Sequence, residues 1–317
     1  MGEGALIDRI VRRAGLEPGG RWVLGIGDDA AVLATRTGEE LVFTTDAQVE
    51  GVHFRFDREP ARVVGRRALA VNLSDLAAMG ASPVGALLSL SAPGSLALSR
   101  FDGLIEGFVD EAGRYGCPLV GGNLSSAERC SLHVTVIGRC RRGRALRRSG
   151  LRAGDRLFVT GRLGAAALAR HTADRHGAAL RRVPTPRLVA GQALAGLSGT
   201  RACIDLSDGL ATDLAHLLEG TGFGADVDPA KLPTPRGFAG RCRALGLDPL
   251  AVAALGGEDY ELLFALRDGP ARAEGHDPRS LSRRLGVAVT EIGGGGGAPG
   301  VRGLPPVARG HHFGGRR

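Results

Sequence analysis

Six aspartates lie at or near the ends of expected strands and helices, among neighbours that are Gly, Thr, Ser or Asn rather than Arg. They are Asp28, Asp29, Asp46, Asp75, Asp205 and Asp208. Carboxylates that lie close together without basic partners are costly unless a cation joins them. Mg²⁺ takes one or two protein carboxylates per ion and completes its coordination with water and phosphate oxygens. The set therefore predicts several Mg²⁺ ions that clamp a polyphosphate.

Two Gly-Gly pairs, Gly121-Gly122 and Gly256-Gly257, would let backbone amides approach phosphate groups. The common nucleotide motifs are nevertheless absent from the sequence. There is no Gly-x-x-x-x-Gly-Lys-Ser/Thr segment, and the only lysine, Lys231, has a Pro-flanked context. A His-Arg-Asp catalytic loop and a Gly-x-Ser-x-Gly elbow are also missing. A chain that handles ATP without these motifs would have to use metal ions and arginines.

The segment 25–31 (GIGDDAA) has two interpretations. Taken alone, it is typical of a Gly-Asp turn between two strands. Taken with the other aspartates, it is one corner of a metal–triphosphate site.

The elements that must position these residues alternate between strands and helices. Alternating or continuous apolar runs predict strands at 30–34, 41–46, 84–91, 118–123, 132–138, 156–161, 202–205, 225–227, 261–266 and 287–292. Helical periodicity predicts helices at 6–14, 60–79, 100–115, 164–170, 187–197, 209–219, 236–245 and 280–286. Residues 50–54 are expected to form a loop. A boundary between two domains is expected within residues 141–155.

Three local details accompany this pattern. In the helix 60–79, the polar residues Asn72, Ser74 and Asp75 predict a face turned toward a polar site. Ser207 or Asp208 is a candidate cap for the helix that follows. The five glycines 293–297 and the tail to residue 317 predict a flexible end.

Bulk properties narrow the class of protein. The 317 residues suffice for two domains. The sequence contains no run of about 18 apolar residues and no secretory signal, so we expect a cytoplasmic protein with no membrane partner. The five cysteines lack Cys-x-x-Cys spacing, which favours buried thiols over zinc or disulfides. The net charge is +8, and nearly all of the positive charge comes from arginine. Aromatic content is 4%, which leaves few rings to stack on bases, so we expect no nucleic-acid partner.

Six motifs together resemble the thiamine-monophosphate kinase family of the AIR-synthase-like ATP-binding superfamily. They occur in the family's order and cover nearly the whole chain: 25–31 (GIGDDAA), 44–46 (TTD), 50–54 (EGVHF), 72–80 (NLSDLAAMG), 205–210 (DLSDGL) and 256–262 (GGEDYEL). The resemblance implies an α/β (α+β) fold with two domains. Residues 1–143 would form the N-terminal ATP- and Mg-binding domain that makes the dimer interface, and residues 144–317 the C-terminal α/β domain.

The resemblance also assigns roles by position. The residues that match Mg²⁺ ligands are Asp29, Thr44, Thr45, Asp46, Asp75, Asp205 and Asp208. The residues that match ATP contacts are Gly122, Arg148 and Ser207. His53 and Glu258 match contacts to the thiamine phosphate substrate. Asp28, which matches no ligand, would shape the turn or act through another ligand. Taken singly, His53 would be a surface or core histidine, Glu258 a solvent-exposed residue at the start of a strand, and Arg148 one member of a basic connection.

Two positions depart from the family pattern. Asn123 stands where the family usually has Asp, and its amide oxygen could still ligate Mg²⁺ or contact ATP without adding charge. The segment 310–313 (GHHF) lacks the usual aromatic residue, and His311 could take over its contact with the thiamine ring.

The implied reaction converts ATP and thiamine monophosphate into ADP and thiamine diphosphate in a homodimer that binds several Mg²⁺ ions. No residue of the protein is expected to act as a nucleophile, because the acceptor phosphate is already anionic near neutral pH.

One alternative is another enzyme of the superfamily. A selenophosphate synthetase should carry an N-terminal Cys, but the first here is Cys117; a hydrogenase-maturation relative should end in a Cys-bearing tail, but none follows Cys242. An aminoimidazole-ribonucleotide synthase explains residues 50–54 less well. A further alternative is a nucleotide-binding paralogue that has lost catalysis, which Asn123 and the altered C-terminus would favour.

Overall fold

The computed structural model describes residues 37–268 and 276–307, together with Arg9, Arg12, Arg13 and the short strands β1 (Trp22–Leu24) and β2 (Val32–Leu33). The chain divides into two compact units. The first comprises Met1–Ala145 with His176–Leu188, and the second comprises Leu146–Arg175 with Val189–Arg317. Each unit has its own sheet, so the mixed α/β class expected from the sequence is confirmed.

The first unit is a four-stranded sheet covered on one face by two long helices. The strands are β3 (Glu39–Val49), β4 (Ser82–Ala92), β5 (Leu119–Ser126) and β6 (Ser131–Arg141), and the helices are α1 (Ala61–Ala78) and α2 (Leu98–Tyr115). The strand order is β3-β6-β4-β5, and only the β4–β5 pair is parallel. Alternate residues of β6, such as Val134 and Val136, are fully buried beneath the helices.

Helices α1 and α2 approach closely because a glycine of each helix faces the backbone of the other. A Cβ on Gly65 would lie 1.9 Å from the backbone oxygen of Leu104, and a Cβ on Gly107 would lie 2.0 Å from that of Arg62. No side chain fits in this space, so the packing of α2 onto α1 depends on these glycines. Near its N-terminus, α2 also carries Asp102, which forms an ion pair with helical Arg9.

The second unit is built on a six-stranded sheet with the order β12-β9-β11-β7-β10-β8. Its strands are β7 (Arg156–Thr160), β8 (Thr200–Asp205), β9 (Gly224–Val227), β10 (Leu262–Leu266), β11 (Val289–Gly295) and β12 (Gly300–Arg302). Its helical elements are α3 (Ala165–His176), α4 (Leu188–Ala195), α5 (Leu210–Leu218), α6 (Phe238–Ala244), α7 (Pro249–Leu255) and α8 (Pro278–Leu285), with a 3₁₀ turn at Pro229–Lys231. The central strands β7 and β10 are buried along their whole length, and their rings Phe158 and Phe264 stack at 5.4 Å.

Most predicted elements are confirmed, with longer or shifted ends. The helix predicted at 60–79 is α1, for which Pro60 is the N-cap. The expectation that residues 293–297 are flexible is wrong, because the first three glycines continue β11. A Cβ on Gly293 would lie 1.9 Å from the backbone oxygen of Asp226 on β9, so the strand pairing itself requires glycine there. Residues 308–317 of the predicted tail lie outside the described residues.

The described helices do not include one that is both long and apolar enough to cross a membrane. All five cysteines are free thiols, and four of them are buried. Burial raises the pKa of Cys117 and Cys130 to about 12, which makes these two thiols poor nucleophiles at neutral pH.

Candidate functional site

Two predicted ligands of the first unit, Thr44 and Asp75, are in direct contact. The Oγ1 of Thr44 on β3 donates to Oδ2 of Asp75 on α1 at 2.5 Å. The neighbouring polar residues Asn72 and Ser74 are fully buried. Asn72 donates to the backbone oxygen of Ala68 at 3.0 Å, while its own Oδ1 meets no hydrogen-bond donor among the described residues. The polar side of α1 therefore faces the sheet edge that carries Thr44.

Sheet register separates the other predicted site residues on β3 and β5 into two faces. Asp46 and Gly122 lie in one row across the sheet, on the face that the helices cover. Thr45 and Asn123 lie in adjacent rows that point to the opposite, open face. Asp46 is exposed, and its Oδ1 accepts a hydrogen bond from the backbone amide of Ala47 at 2.6 Å. Asp46 and Thr45 belong to the edge strand β3, whereas Gly122 and Asn123 belong to β5 at the opposite edge, so the sheet does not bring these two pairs together.

His53 lies in the predicted loop after β3, and its side chain is exposed. Its Nδ1 accepts a hydrogen bond from the backbone amide of Val49 at 3.1 Å. In a neutral imidazole that accepts at Nδ1, the proton must be on Nε2. The loop therefore presents an N–H donor outward.

In the second unit, a turn after β8 carries Asp205, Ser207 and Asp208. Asp205 is 3% exposed, whereas Ser207 and Asp208 are partly exposed. The prediction that Ser207 or Asp208 caps the next helix is wrong, because the N-cap of α5 is Gly209 without a side-chain hydrogen bond. The turn is instead held from inside the helix by Asp213.

Asp213 is the functional candidate that sequence reasoning missed. Its Oδ2 accepts hydrogen bonds from the backbone amides of Asp208 and Gly209, both at 3.1 Å. The side chain is 2% exposed. Burial, and then repulsion from Asp205 and Asp208, raise the pKa of Asp213 to about 8. In the sequence, the signal that could have identified Asp213 is its spacing from His216, since residues three apart share one face of a helix.

The group around Asp213 fits a divalent cation. Among the described residues, Asp208, Asp213 and His216 each have a potential ligand atom, and these atoms all lie within 4.8 Å of one another. A ring nitrogen of His216 also lies 2.8 Å from Oε1 of Glu219, which orients the imidazole. The repulsion that raises the pKa of Asp213 is the interaction that a cation would offset.

Glu258 lies beside this turn because its segment runs along it. The backbone amide of Glu258 donates to the backbone oxygen of Ser207 at 2.8 Å. Gly257 makes this approach possible, since a Cβ there would lie 2.4 Å from the same oxygen. Glu258 and Tyr260 have left-handed φ angles of 66° and 52°, so this segment stores backbone strain of the kind found at functional sites.

Side chains around Glu258 hold the strained segment in place. Asp259 is 5% exposed and accepts hydrogen bonds from the amides of Gly164 and Ala166, at 2.5 and 3.0 Å, at the start of α3. Arg170 on the same helix forms an ion pair with Glu258 at 2.8 Å. Glu258 is thereby oriented by α3, while its side chain remains 43% exposed.

Of the other predicted site residues, the structure describes Arg148. Arg148 is exposed on the segment before β7, and the backbone oxygen of its neighbour Arg147 accepts a hydrogen bond from the amide of Cys203 on β8 at 2.8 Å. Arg148 thus belongs to the same unit as Asp205 and Asp208. Asp28, Asp29 and His311 lie outside the described residues.

Known proteins resemble this chain along most of its length. A family model described as AIR synthase related protein, N-terminal domain, matches residues 27–140. A thiamine-monophosphate kinase from Mycobacterium tuberculosis (strain CDC 1551 / Oshkosh) is 38% identical over 294 residues, covering 86% of this chain and 87% of the relative. Another from Salmonella typhimurium is 39% identical over 284 residues, covering 85% and 81%.

Solved structures give the same picture. Thiamine-monophosphate kinase from Stenotrophomonas maltophilia K279a is 36% identical with a TM-score of 0.78, covering 96% of this chain and 98% of that one. AaThiL complexed with AMPPCP and TMP is 30% identical with a TM-score of 0.73, covering 95% and 92%. A hydrogenase maturation protein, HypE in complex with ATP, is 20% identical and shares the fold, with a TM-score of 0.75. These comparisons confirm the resemblance drawn from the six motifs.

Proposed function

The chain belongs to the thiamine-monophosphate kinase family, and from that premise we propose that it transfers the γ-phosphoryl group of ATP to thiamine monophosphate. The products are thiamine diphosphate and ADP. The relative AaThiL, which is complexed with the ATP analogue AMPPCP and with TMP, supports this pair of substrates. The oxygen donors of the site support the use of Mg²⁺.

The carboxylates around Asp213 carry the proposal. Burial, and then repulsion from Asp205 and Asp208, raise the pKa of Asp213 to about 8. Carboxylate oxygens are the ligands that Mg²⁺ prefers. Asp205 and Asp208 are assigned to Mg²⁺ with Asp213 beside them, and the remaining assigned ligands are Asp29, Thr44, Thr45, Asp46, Asp75 and Asn123.

The protein's own groups are needed to bind and orient the reactants, and none of them has to form a bond to phosphorus. Bound Mg²⁺ would neutralise charge on the triphosphate and on the transferring phosphoryl group. Arg148 is exposed and can pair with phosphate oxygens, while Gly122, Asn123 and Ser207 are assigned to ATP contacts. The acceptor oxygen forms a bond to the γ-phosphorus as the bond to the bridging oxygen breaks, and that electron pair leaves with ADP. We assign no protein nucleophile and no phosphoenzyme.

The proposed contacts to thiamine monophosphate pair each protein group with a substrate group of suitable charge. The outward Nε2–H of His53 is suited to donate to an anionic phosphate oxygen of thiamine monophosphate. The partly exposed carboxylate of Glu258 is suited to pair with the cationic thiazolium ring. His311 is assigned to the thiamine ring on the resemblance alone.

A homodimer is the proposed assembly, and the open face of the first unit's sheet is its proposed interface. This face carries Phe43, which is 62% exposed, and the partly buried Ile137 directly opposite on β6. An exposed aromatic on a sheet face that neither α1 nor α2 covers is typical of an interaction surface.

Replacement of Asp75 with Asn tests the metal and phosphoryl-transfer assignment. The substitution keeps the size of the side chain and an acceptor for Thr44, but it removes the charge. We expect at least a roughly 100-fold loss of kcat in thiamine diphosphate formation, with the melting temperature changed by only a few degrees. The matched control is Asp110→Asn, which breaks a surface ion pair with Arg62 and should leave kcat unchanged.

The outcomes separate the competing functions. Full activity in Asp75→Asn would show that the metal assignment is wrong. A phosphorylated protein that forms and turns over at a competent rate would rule out direct transfer. A wild-type protein that binds ATP but forms no thiamine diphosphate would identify a nucleotide-binding paralogue without catalysis.

A further inference from the structure

A buried arginine on α1, Arg67, joins three separate parts of the first unit. The side chain is only 9% exposed. Its Nη1 forms an ion pair with Glu59, its Nε donates to Oε1 of Gln48 at 3.3 Å, and its Nη2 donates to the backbone oxygen of His53 at 3.0 Å. One guanidinium thereby connects the end of β3, the middle of the loop and the end of the loop to the helix.

The loop that receives these contacts determines where the ring of His53 points. The amide of Gly51 donates to the backbone oxygen of Phe54, and the amide of His53 donates to that of Val49, both at 2.8 Å. Phe54 is 2% exposed and anchors the turn. These contacts shape the turn, but the Arg67 hydrogen bond to His53 ties it directly to α1.

The fork of the guanidinium is required for this arrangement. Glu59 is 7% exposed, so its charge needs the buried partner. A lysine at this position could pair with Glu59, but a single ammonium group cannot span acceptors from three segments as the planar guanidinium does. The contact to His53 is therefore the one most easily lost while the ion pair is kept.

The preceding residue, Arg66, provides a comparison within the same helix. Its Nε donates to Oε2 of Glu111 on α2 at 2.7 Å, and Glu111 is 1% exposed. Arg66 thus forms an ion pair with a buried carboxylate and ties α1 to α2, whereas Arg67 ties α1 to the loop. If both arginines only stabilised the unit, replacement of either would lower stability without changing the KM for thiamine monophosphate.

We propose that Arg67 is a positioning residue, which acts through His53 to hold the imidazole N–H in place for the phosphate of the acceptor substrate. The inference rests on the proposed role of His53 in binding thiamine monophosphate. Loss of the tether should weaken binding of the acceptor and leave ATP binding intact. It should also leave the chemical step intact once the acceptor is bound.

The test compares Arg67→Lys with the matched control Arg66→Lys in the full-length protein. For Arg67→Lys we expect the KM for thiamine monophosphate to rise roughly tenfold, with kcat and the KM for ATP within about twofold of wild type. Amide hydrogen exchange in residues 50–59 should accelerate in Arg67→Lys and stay unchanged in Arg66→Lys. Arg66→Lys should change neither KM.

A double-mutant comparison with His53→Ala separates this inference from the proposed function. If Arg67 acts through His53, Arg67→Lys should not raise the KM further in a His53→Ala background. If His53→Ala raises the KM but Arg67→Lys does not, or if Arg66→Lys raises it equally, the positioning role is refuted and the function of His53 stands. If His53→Ala leaves the KM unchanged, the proposed substrate contact fails and the inference fails with it.

Discussion

Replacement of Asp213 with Asn should remove most of the pH dependence of stability in the metal-free protein between about pH 4 and pH 8. The pKa of Asp213 is raised from 3.8 to about 8, chiefly by burial and then by Asp205 and Asp208. Because the folded-state pKa lies above the unfolded value, its contribution to stability is fully present below pH 4. That contribution is lost as the pH rises through 8, since folding then requires a buried charge.

The size of the effect follows from the difference between the two pKa values. At about 1.4 kcal/mol per pKa unit, a rise from 3.8 to about 8 corresponds to roughly 6 kcal/mol of unfolding free energy. This is comparable with the whole stability of a typical domain, which is about 5–15 kcal/mol. The asparagine side chain would keep an oxygen for the amides of Asp208 and Gly209, because a single oxygen of Asp213 accepts both hydrogen bonds.

Urea unfolding of the metal-free protein at about pH 5 and pH 8 measures the effect. The wild type should lose several kcal/mol between the two values, and Asp213→Asn should lose much less. Addition of Mg²⁺ at about pH 8 should stabilise the wild type more than the variant. Asp248→Asn, a change at an exposed helix cap in the same unit, should follow the wild type. An equal loss in wild type and Asp213→Asn would refute the argument.

Two further predictions concern the first unit. Gly107→Ala places a Cβ 2.0 Å from the backbone oxygen of Arg62, so it should lower the free energy of unfolding by roughly 3 kcal/mol in chemical denaturation. Gly113→Ala is the control on the same helix. A Cβ on Gly113 has no atom within 4 Å, so this change should be neutral or stabilising. Similar losses in both would contradict the packing argument. Phe43→Glu should weaken dimerisation at least tenfold in sedimentation equilibrium, because it introduces a charge at a residue that is 62% exposed in the single chain and lies in the proposed interface. Unchanged association would place the interface elsewhere.

The sequence predicts the elements whose ends carry local signals. Pro60 is followed by a long periodic run, which correctly predicts α1. The motif 50–54 lies in the loop that was expected, and the helix predicted at 209–219 is α5. Helix α7 was not predicted, although Asp248 and Pro249 are a capping residue and a first helical residue of the preferred types. In that case the signal was present in the sequence.

Other features depend on contacts between distant residues and leave no local pattern. The glycines of β11 have no side chains to alternate, and the reason for Gly293 is the backbone of β9, which only the fold reveals. The capping of the turn after β8 was assigned to Ser207 or Asp208 by proximity, but the amides of that turn are bound by Asp213, one helical turn later. The position of a candidate carboxylate was predictable, whereas its direction and its hydrogen-bond partners were not.

Helix α1 shows why hydrophobic periodicity alone does not identify the site residues. It packs against α2 on one side and against β3, β4 and β6 on the other, so apolar residues are needed all round and no amphipathic stripe develops. Its buried polar residues are therefore exceptions that need specific partners. Arg67 has the loop of His53, and Asp75, about two turns later, has Thr44. One rigid helix thus sets both the proposed substrate loop and a proposed metal ligand, so a shift of α1 against the sheet should disturb both functions together.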